Sequence, residues 1–150
     1  MMRLVRFVRL PARLQRLYLE AAFHLSMAGL TLLVLPFRRI APRLGVVTHH
    51  ADPPSAAGRE QELEEIAWAL HRAARVLPWR CTCLPKAIAG SRMLGRRGIP
   101  YALYLGAARE QDRELIAHAW LRCGDTIVTG GEEMAKFTIV SSFIHGGGGD

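Results

Sequence analysis

Two cysteines separated by one residue, Cys81 and Cys83, lie in the stretch WRCTCLPKA, residues 79–87. Such a pair could hold a metal ion, form a disulfide, fill the core or supply a nucleophile. A disulfide between them is disfavoured, because Cα atoms two residues apart in an extended chain lie near the upper limit that a disulfide spans. The chain has three cysteines, without the spacing of a disulfide framework, which predicts free thiols in a reducing compartment.

The two thiols differ in their position relative to a helix that the sequence predicts over residues 84–97. Pro85 suits the first turn of this helix and Gly98 suits its C-terminal end. Cys83 is therefore expected at or next to the N-cap, where unpaired backbone N–H groups and the positive end of the helix dipole favour a thiolate. Cys81 lies in the preceding loop and lacks this placement.

A thiolate nucleophile needs a base, and the chain has six histidines. For five of them a structural or solvated role is usual: His24 in an apolar helix, His49 and His50 before a linker, His71 on a charged helix and His145 in the tail. His118 differs because it lies in LIAHAWLR, a predicted strand that is otherwise largely apolar. A lone histidine there is more often structural than catalytic, but cysteine at a helix N-terminus with histidine on a following strand is the papain and transglutaminase arrangement.

The elements that must position these residues are helices followed by a small antiparallel sheet, an α+β fold. Residues 59–77 have apolar side chains at helical spacing, with acids early and arginines late, as the helix dipole favours. Strands are predicted over the ranges 101–107, 115–122, 126–129 and 136–143. The predicted division of the chain is a basic, apolar helical region (1–50), a linker (51–58), a core (59–145) and a flexible tail (146–150).

The net charge of +7 belongs to the N-terminal third of the chain. Residues 1–45 contain eight arginines and one acid, Glu20, whereas the 12 basic and 12 acidic side chains of residues 46–150 cancel. The apolar run over 19–35 is shorter than the roughly 20 residues of a spanning helix, and Pro36 ends it.

Three alternatives remain for this N-terminal segment: helices packed on the core with their arginines in water, a helix lying on an anionic membrane surface, or a docking face for an acidic protein or peptide. The first is favoured. No nucleic-acid partner is expected, because the basic residues lack interleaved aromatic residues and any binding signature.

Two stretches carry a resemblance to a known family: CTCLPKAIAGSRMLGRRGIPYALYLGA (81–107) and LIAHAWLRCGDTIVTGG (115–131). Together they resemble the transglutaminase-like leader peptidases of lasso-peptide biosynthesis (the B2 proteins). That family runs Cys-Leu, a helix, an arginine pair, Gly-Ile, a strand ending in Gly and then Ala-His-Ala-Trp. The arginine- and leucine-rich N-terminal helices also resemble that family, so the likeness covers nearly the whole chain.

The resemblance implies a papain- or transglutaminase-like cysteine peptidase core that removes the leader from a ribosomally made precursor peptide. It also implies two partners, a small leader-recognition protein that delivers the leader and an asparagine-synthetase-like cyclase that closes the ring. Cys83, directly before Leu84, matches the nucleophile and His118 the general base. No metal or cofactor is implied, and the expected localisation is cytoplasmic, with membrane association through the N-terminal helices as an alternative.

A third catalytic member is not evident, although the family usually has an aspartate on the strand after the histidine. If a Gly-Asp pair forms a two-residue turn, His118 pairs near Gly131, and the family's aspartate is expected near Gly130. Asp125 then lies roughly 23 Å from His118, at about 3.3 Å per residue. Glu132 is the other candidate, if a bulge brings it in. A histidine oriented by a backbone carbonyl and an inactive relative are further alternatives.

Two rival interpretations belong to other classes of protein. One is a zinc site formed by Cys81, Cys83, Cys123 and His118, although a one-residue gap between cysteine ligands is unusual. The other is a non-catalytic module that binds a peptide or a membrane surface and whose thiols are merely buried.

Overall fold

The computed structural model of the chain describes residues 2–49, 52–111 and 114–146. Its helices are α1 (Met2–Val8), α2 (Ala12–Val34), α3 (Phe37–Ile40), α4 (Glu60–Val76) and α5 (Cys83–Arg96). Its strands are β1 (Val46–Thr48), β2 (Tyr101–Arg109), β3 (Leu115–Cys123), β4 (Thr126–Thr129) and β5 (Thr138–His145). The strands form one sheet in the order β1-β5-β2-β3-β4, with antiparallel pairing throughout. The predicted α+β fold with a small antiparallel sheet is confirmed.

Most predicted elements are observed, with shifts at their ends. The helices predicted over 59–77 and 84–97 each agree with α4 and α5 to within one residue, and β4 has the predicted bounds. The strand predicted over 136–143 is observed two residues later, as β5. The sequence analysis missed β1, a three-residue strand before α4 that pairs with the end of β5.

Two histidines, His145 and His50, lie at the ends of predicted segments of the chain. His145, expected in the tail, is the last residue of β5, and its ring stacks on Tyr101 with 5.1 Å between ring centroids. His50 lies outside the described residues, as do residues 147–150 of the predicted tail.

The main core lies between one face of the sheet and the helices α2, α4 and α5. Each element contributes side chains that are almost completely buried, among them Leu25, Ile66, Leu70, Ile88, Met93, Leu103 and Leu121. The helical spacing of these residues explains why the three helices form. The helices α4 and α5 pack on the sheet, and α2 packs on α4 and α5. A smaller cluster covers the opposite face of the sheet around Tyr104 and Trp120, against Met134 and Phe137.

Packing of α5 on β3 depends on a glycine. A Cβ atom built on Gly90 of α5 would lie 2.6 Å from Cδ2 of Leu121 on β3 and 3.2 Å from Cδ1 of Leu70 on α4. A side chain at this position would displace the end of the Leu121 side chain. Glycine therefore lets the helix that begins at Cys83 lie close to the strand that carries His118.

An ion pair fastens α2 to the end of α5. The guanidinium of Arg97 donates to both carboxylate oxygens of Glu20, at 2.8 and 2.7 Å, and also to the Met93 carbonyl at 3.0 Å. Both partners are largely buried, with about a fifth to a quarter of each side chain exposed. The hydrogen bond from Arg97 is the main reason that the pKa of Glu20 is lowered.

We expect Glu20→Gln to lower the free energy of unfolding at pH 7 by about 1–2 kcal/mol, because it removes the carboxylate that contacts Arg97 most closely and leaves Glu62, at 3.6 Å, as its anionic partner. A carboxylate whose pKa is lowered in the folded state contributes stability above its unfolded pKa of about 4.3, and this is lost as the pH falls through the folded-state value. The difference between wild type and variant should therefore shrink at pH 3. Urea denaturation at both pH values measures it, with Glu64→Gln, at an exposed position of α4, as the control. Equal losses for both variants would contradict the ion pair's role.

Candidate active site

Cys83 is the first residue of α5, which confirms its predicted position at the start of this helix. Its N-cap, Thr82, has extended backbone geometry and makes no side-chain cap hydrogen bond. Pro85 occupies the first turn and is buried, so its lack of an N–H group costs the helix nothing. The backbone N–H groups of Cys83 and Leu84 therefore remain available at the positive end of the helix dipole, beside a half-buried thiol.

The other two thiols have surroundings that favour the protonated form. Burial raises the pKa of the Cys81 thiol, and Lys86 only partly opposes this effect. Cys123 is 2% exposed on β3, and burial raises the pKa of its thiol as well. Of the three cysteines, Cys83 is the one that begins a helix, which separates it from its neighbour Cys81.

His118 lies on β3, opposite Gly106 of β2, with its ring held in place by aromatic neighbours and a carbonyl. The ring stacks on Phe137 at 4.9 Å and on Trp120 at 5.9 Å between centroids. Its Nε2 atom lies 2.7 Å from the Gly130 carbonyl oxygen. A carbonyl can only accept a hydrogen bond, so Nε2 carries the proton and donates it. In the neutral ring, Nδ1 therefore holds the free lone pair that a general base needs.

The Gly130 carbonyl reaches the histidine because the chain turns sharply at the end of β4. Gly130 has the left-handed backbone angle φ 76°, and a Cβ atom there would lie 2.4 Å from the Ala119 carbonyl oxygen. Any other residue would both strain the backbone and clash with β3. The position where the sequence suggested a family aspartate thus holds a glycine whose backbone, not a side chain, contacts His118.

Neither acid named as a candidate third member contacts His118. Asp125 lies at the β3–β4 turn, fully exposed, with its carboxylate 3.8 Å from Arg122. Glu132 is exposed in the 3-10 helix that follows β4. In the part of the chain that the structure describes, the His118 ring donates its hydrogen bond to the Gly130 carbonyl and to neither carboxylate.

The predicted pairing of His118 near Gly131 is not formed. Beyond the turn, Arg122 pairs with Ile127 but Leu121 pairs with Thr129, so one extra residue is accommodated in β4. The strand ends there, and β4 pairs with only the last three residues of β3. Within the described residues, the N-terminal half of β3, which includes His118, has no strand partner on that side.

The topology predicts that Cys83 and His118 lie at a similar level along the direction of β3. The end of α5 leads within a few residues into β2, which begins opposite the end of β3, so α5 and β3 run in the same direction. From the contact between Gly90 and Leu121, Cys83 lies seven residues back along the helix, about 10 Å at 1.5 Å per residue. His118 lies three residues back along the strand, also about 10 Å.

The two residues are on different faces of β3, however. Leu121 packs under α5, whereas His118 stacks with Trp120 on the opposite face. No hydrogen bond joins the Cys83 thiol to His118 among the described residues. A contact between them would form around the edge of β3 that β4 leaves open.

The zinc site considered from the sequence is not assembled. Cys123 lies five residues from His118 along β3, roughly 16 Å at 3.3 Å per residue. Within residues 2–49, 52–111 and 114–146, no group of three or more His, Cys, Asp or Glu side chains is placed to hold a metal ion.

Comparison with known families identifies the superfamily of this domain. The family model described as the transglutaminase-like superfamily matches residues 31–142. The chain belongs to the transglutaminase-like superfamily. No curated protein and no solved structure matches the chain. The range matched by the transglutaminase-like model includes Cys83, His118 and Gly130, and it assigns the domain a cysteine peptidase-type fold.

The sequence analysis missed the role of Gly130 in this transglutaminase-like domain, and also the stacking of Phe137 on His118. A signal for the first was present, because the Gly-Gly pair directly after a short strand indicates a turn with a positive φ angle. Nothing in the sequence indicated the second, since Phe137 reaches His118 only through the path of the 3-10 helix.

We expect Gly130→Ala to lower the free energy of unfolding by about 1–3 kcal/mol and to release the His118 ring, because the new Cβ meets the Ala119 carbonyl. Nitrogen-15 NMR of the histidine ring should show a single tautomer with its proton on Nε2 in wild type and a mixture in the variant. The control is Gly95→Ala, whose Cβ meets nothing within 4 Å and whose helical position gains up to about 1 kcal/mol. An unchanged tautomer in Gly130→Ala would show that the carbonyl does not orient the ring.

Proposed function

We propose that this transglutaminase-like protein is a cysteine peptidase that removes the leader from a ribosomally synthesised lasso precursor peptide. One observation carries the catalytic part of this proposal. His118 Nε2 donates to the Gly130 carbonyl, which leaves the lone pair on Nδ1 for a general base, and Cys83 is the first residue of α5. The paired stretches around Cys83 and His118, which resemble the lasso leader peptidases, support the substrate class.

In the proposed mechanism, Cys83 and His118 meet around the open edge of β3 when substrate binds. Catalytic hydrogen bonds are often long or unformed in a free enzyme and tighten only in the substrate complex. His118 Nδ1 accepts the thiol proton, and the Cys83 sulfur attacks the carbonyl carbon of the last leader residue. The tetrahedral oxyanion accepts a hydrogen bond from the backbone N–H of Cys83, which no side-chain cap occupies.

Collapse of this intermediate breaks the peptide bond, and His118 gives its proton to the departing amine of the core peptide. The leader remains attached to Cys83 as a thioester. Water, deprotonated by His118, then hydrolyses the thioester and frees the leader carboxylate and the thiol. Each step uses groups of this chain, the peptide and water.

Two partners complete the proposal. A small leader-recognition protein presents the precursor, and an asparagine-synthetase-like cyclase takes the released core peptide. The reaction would take place in the cytoplasm, where precursor peptides are made and where three free thiols are stable.

A second candidate function is a non-catalytic peptide-binding module. Two observations favour it: the Cys83 thiol makes no hydrogen bond to His118 in the described structure, and no carboxylate contacts the His118 ring. In such a module the thiols have no chemical role.

Mass spectrometry of a lasso precursor peptide, incubated with this protein and the matching leader-recognition protein, separates these functions. We expect wild type to release the leader, Cys83→Ala to reduce cleavage at least about 10³-fold, because the nucleophile is lost, and Cys81→Ala to cleave at nearly the wild-type rate. Cys81 is the matched control, since it is a half-buried thiol two residues away. Full cleavage by Cys83→Ala would exclude the proposed nucleophile, and no cleavage by wild type would favour the binding module.

A further inference from the structure

The outer face of α2 is apolar and uncovered. Five large side chains on it are between 53% and 84% exposed: Leu19, Phe23, Leu30, Leu33 and Val34. At 3.6 residues per turn these positions fall on one side of the helix, and they extend over about 22 Å at 1.5 Å per residue. An apolar stripe of this length, interrupted by the half-buried Ser26, indicates an interaction surface rather than scattered exposed residues.

The opposite face of α2 is part of the core. Ala21, Leu25 and Ala28 are completely buried against the rest of the chain, and Glu20 is held by Arg97. By length and composition α2 could cross a membrane. Crossing would expose this buried face and break the ion pair, so the folded protein can offer only one side of the helix to a partner.

The exposed side of α2 offers almost no polar group to a partner. From Ala21 to Val34 the helix has no Asp, Glu, Lys or Arg. Its two hydroxyl groups are satisfied within the helix, because Ser26 donates to the Ala22 carbonyl at 2.7 Å and Thr31 to the Met27 carbonyl at 2.6 Å. Protein partners usually meet hydrogen-bonding groups around an apolar centre, whereas a hydrocarbon phase requires that such groups be satisfied internally.

Exposed arginines lie at both ends of the apolar stripe. Arg16 precedes it, and Arg38, Arg39 and Arg43 follow it. Arg16 lines a cavity with Glu62 and Glu65, which partly offset its charge. Among the described residues no ion pair neutralises Arg38, Arg39 or Arg43, so the positive charge is concentrated at the C-terminal end of the stripe. Arginines placed beside an apolar helix face suit the phosphate groups of anionic lipids while the apolar side chains enter the acyl boundary.

From these observations we infer that the outer face of α2 is a binding surface for an anionic lipid bilayer, on which the helix lies flat. The stripe of apolar side chains enters the interface, and the flanking arginines contact the lipid headgroups. Lipid is favoured over an acidic protein because the stripe is long and carries no free hydrogen-bonding group. This surface is separate from Cys83 and His118, so the inference does not depend on the proposed peptidase activity.

Co-sedimentation with vesicles tests this inference. We expect the wild-type protein to bind vesicles of equal phosphatidylglycerol and phosphatidylcholine at least about tenfold more tightly than vesicles of phosphatidylcholine alone, because several arginines each add to attraction by anionic lipid. The triple variant Phe23→Ser, Leu30→Ser, Leu33→Ser should lower the partition coefficient on the anionic vesicles by about tenfold or more. The matched control is Leu115→Ser, which removes a leucine 67% exposed on β3 and should change nothing.

A charge variant provides an independent reading should the triple variant fail to fold. Arg38→Glu with Arg39→Glu alters exposed residues outside α2 and should reduce binding to the anionic vesicles, with the difference from wild type disappearing in 1 M salt. Failure of the wild type to bind anionic vesicles would overturn the inference. So would a triple variant or a charge variant that binds like wild type. If the wild type does not bind vesicles and the triple variant loses binding to a leader-recognition protein, the stripe is a surface for a protein partner instead.

Discussion

The close contact between α5 and β3 at Gly90 is the constraint on which the candidate site depends. A helix start can activate a thiol anywhere in a protein, but it is useful only if a base lies at the same level. Gly90 lets α5 settle onto Leu121, and the short connection into β2 fixes the direction of the helix relative to the strand. Together they direct the first residue of α5 toward the end of the sheet where β3 carries His118, although on the other face of that strand. The Glu20–Arg97 ion pair holds α2 against the far end of the same helix.

The same region differs at one point from the arrangement that the resemblance to the lasso leader peptidases implies. A backbone carbonyl, not a carboxylate, accepts the hydrogen bond from His118. A carbonyl can fix the tautomer and the orientation of the ring, but it carries no full negative charge to stabilise an imidazolium. The proposed enzyme would therefore rely more heavily on the helix dipole and backbone donors at Cys83. Gly130 permits this substitution because its left-handed backbone points the carbonyl at the ring.

Sequence reasoning predicted the parts of the structure that depend on local pattern. Helical spacing, Pro85 and Gly98 defined α5, and with it the place of Cys83 at the helix start. The α+β class and the strand that carries His118 also follow from periodicity and turn residues. A backbone carbonyl as the partner of His118 was one of the alternatives left open. Which carbonyl it is could not be predicted, because that depends on an extra residue in β4 and on where the strand stops. The strand β1 was missed since three residues paired only with the distant β5 leave no local signal.

The central claim is that Cys83 and His118 act as a pair. Its most direct test is the rate at which iodoacetamide alkylates each thiol in wild type and in His118→Ala. Peptide mass spectrometry measures this rate for each cysteine separately, across pH 5 to 9. A working pair predicts that Cys83 reacts faster than Cys81 in wild type, and that His118→Ala slows Cys83 and changes the shape of its pH profile while leaving Cys81 unaltered. Identical Cys83 profiles in the two proteins would show that the histidine does not act on this thiol, and would contradict the peptidase mechanism.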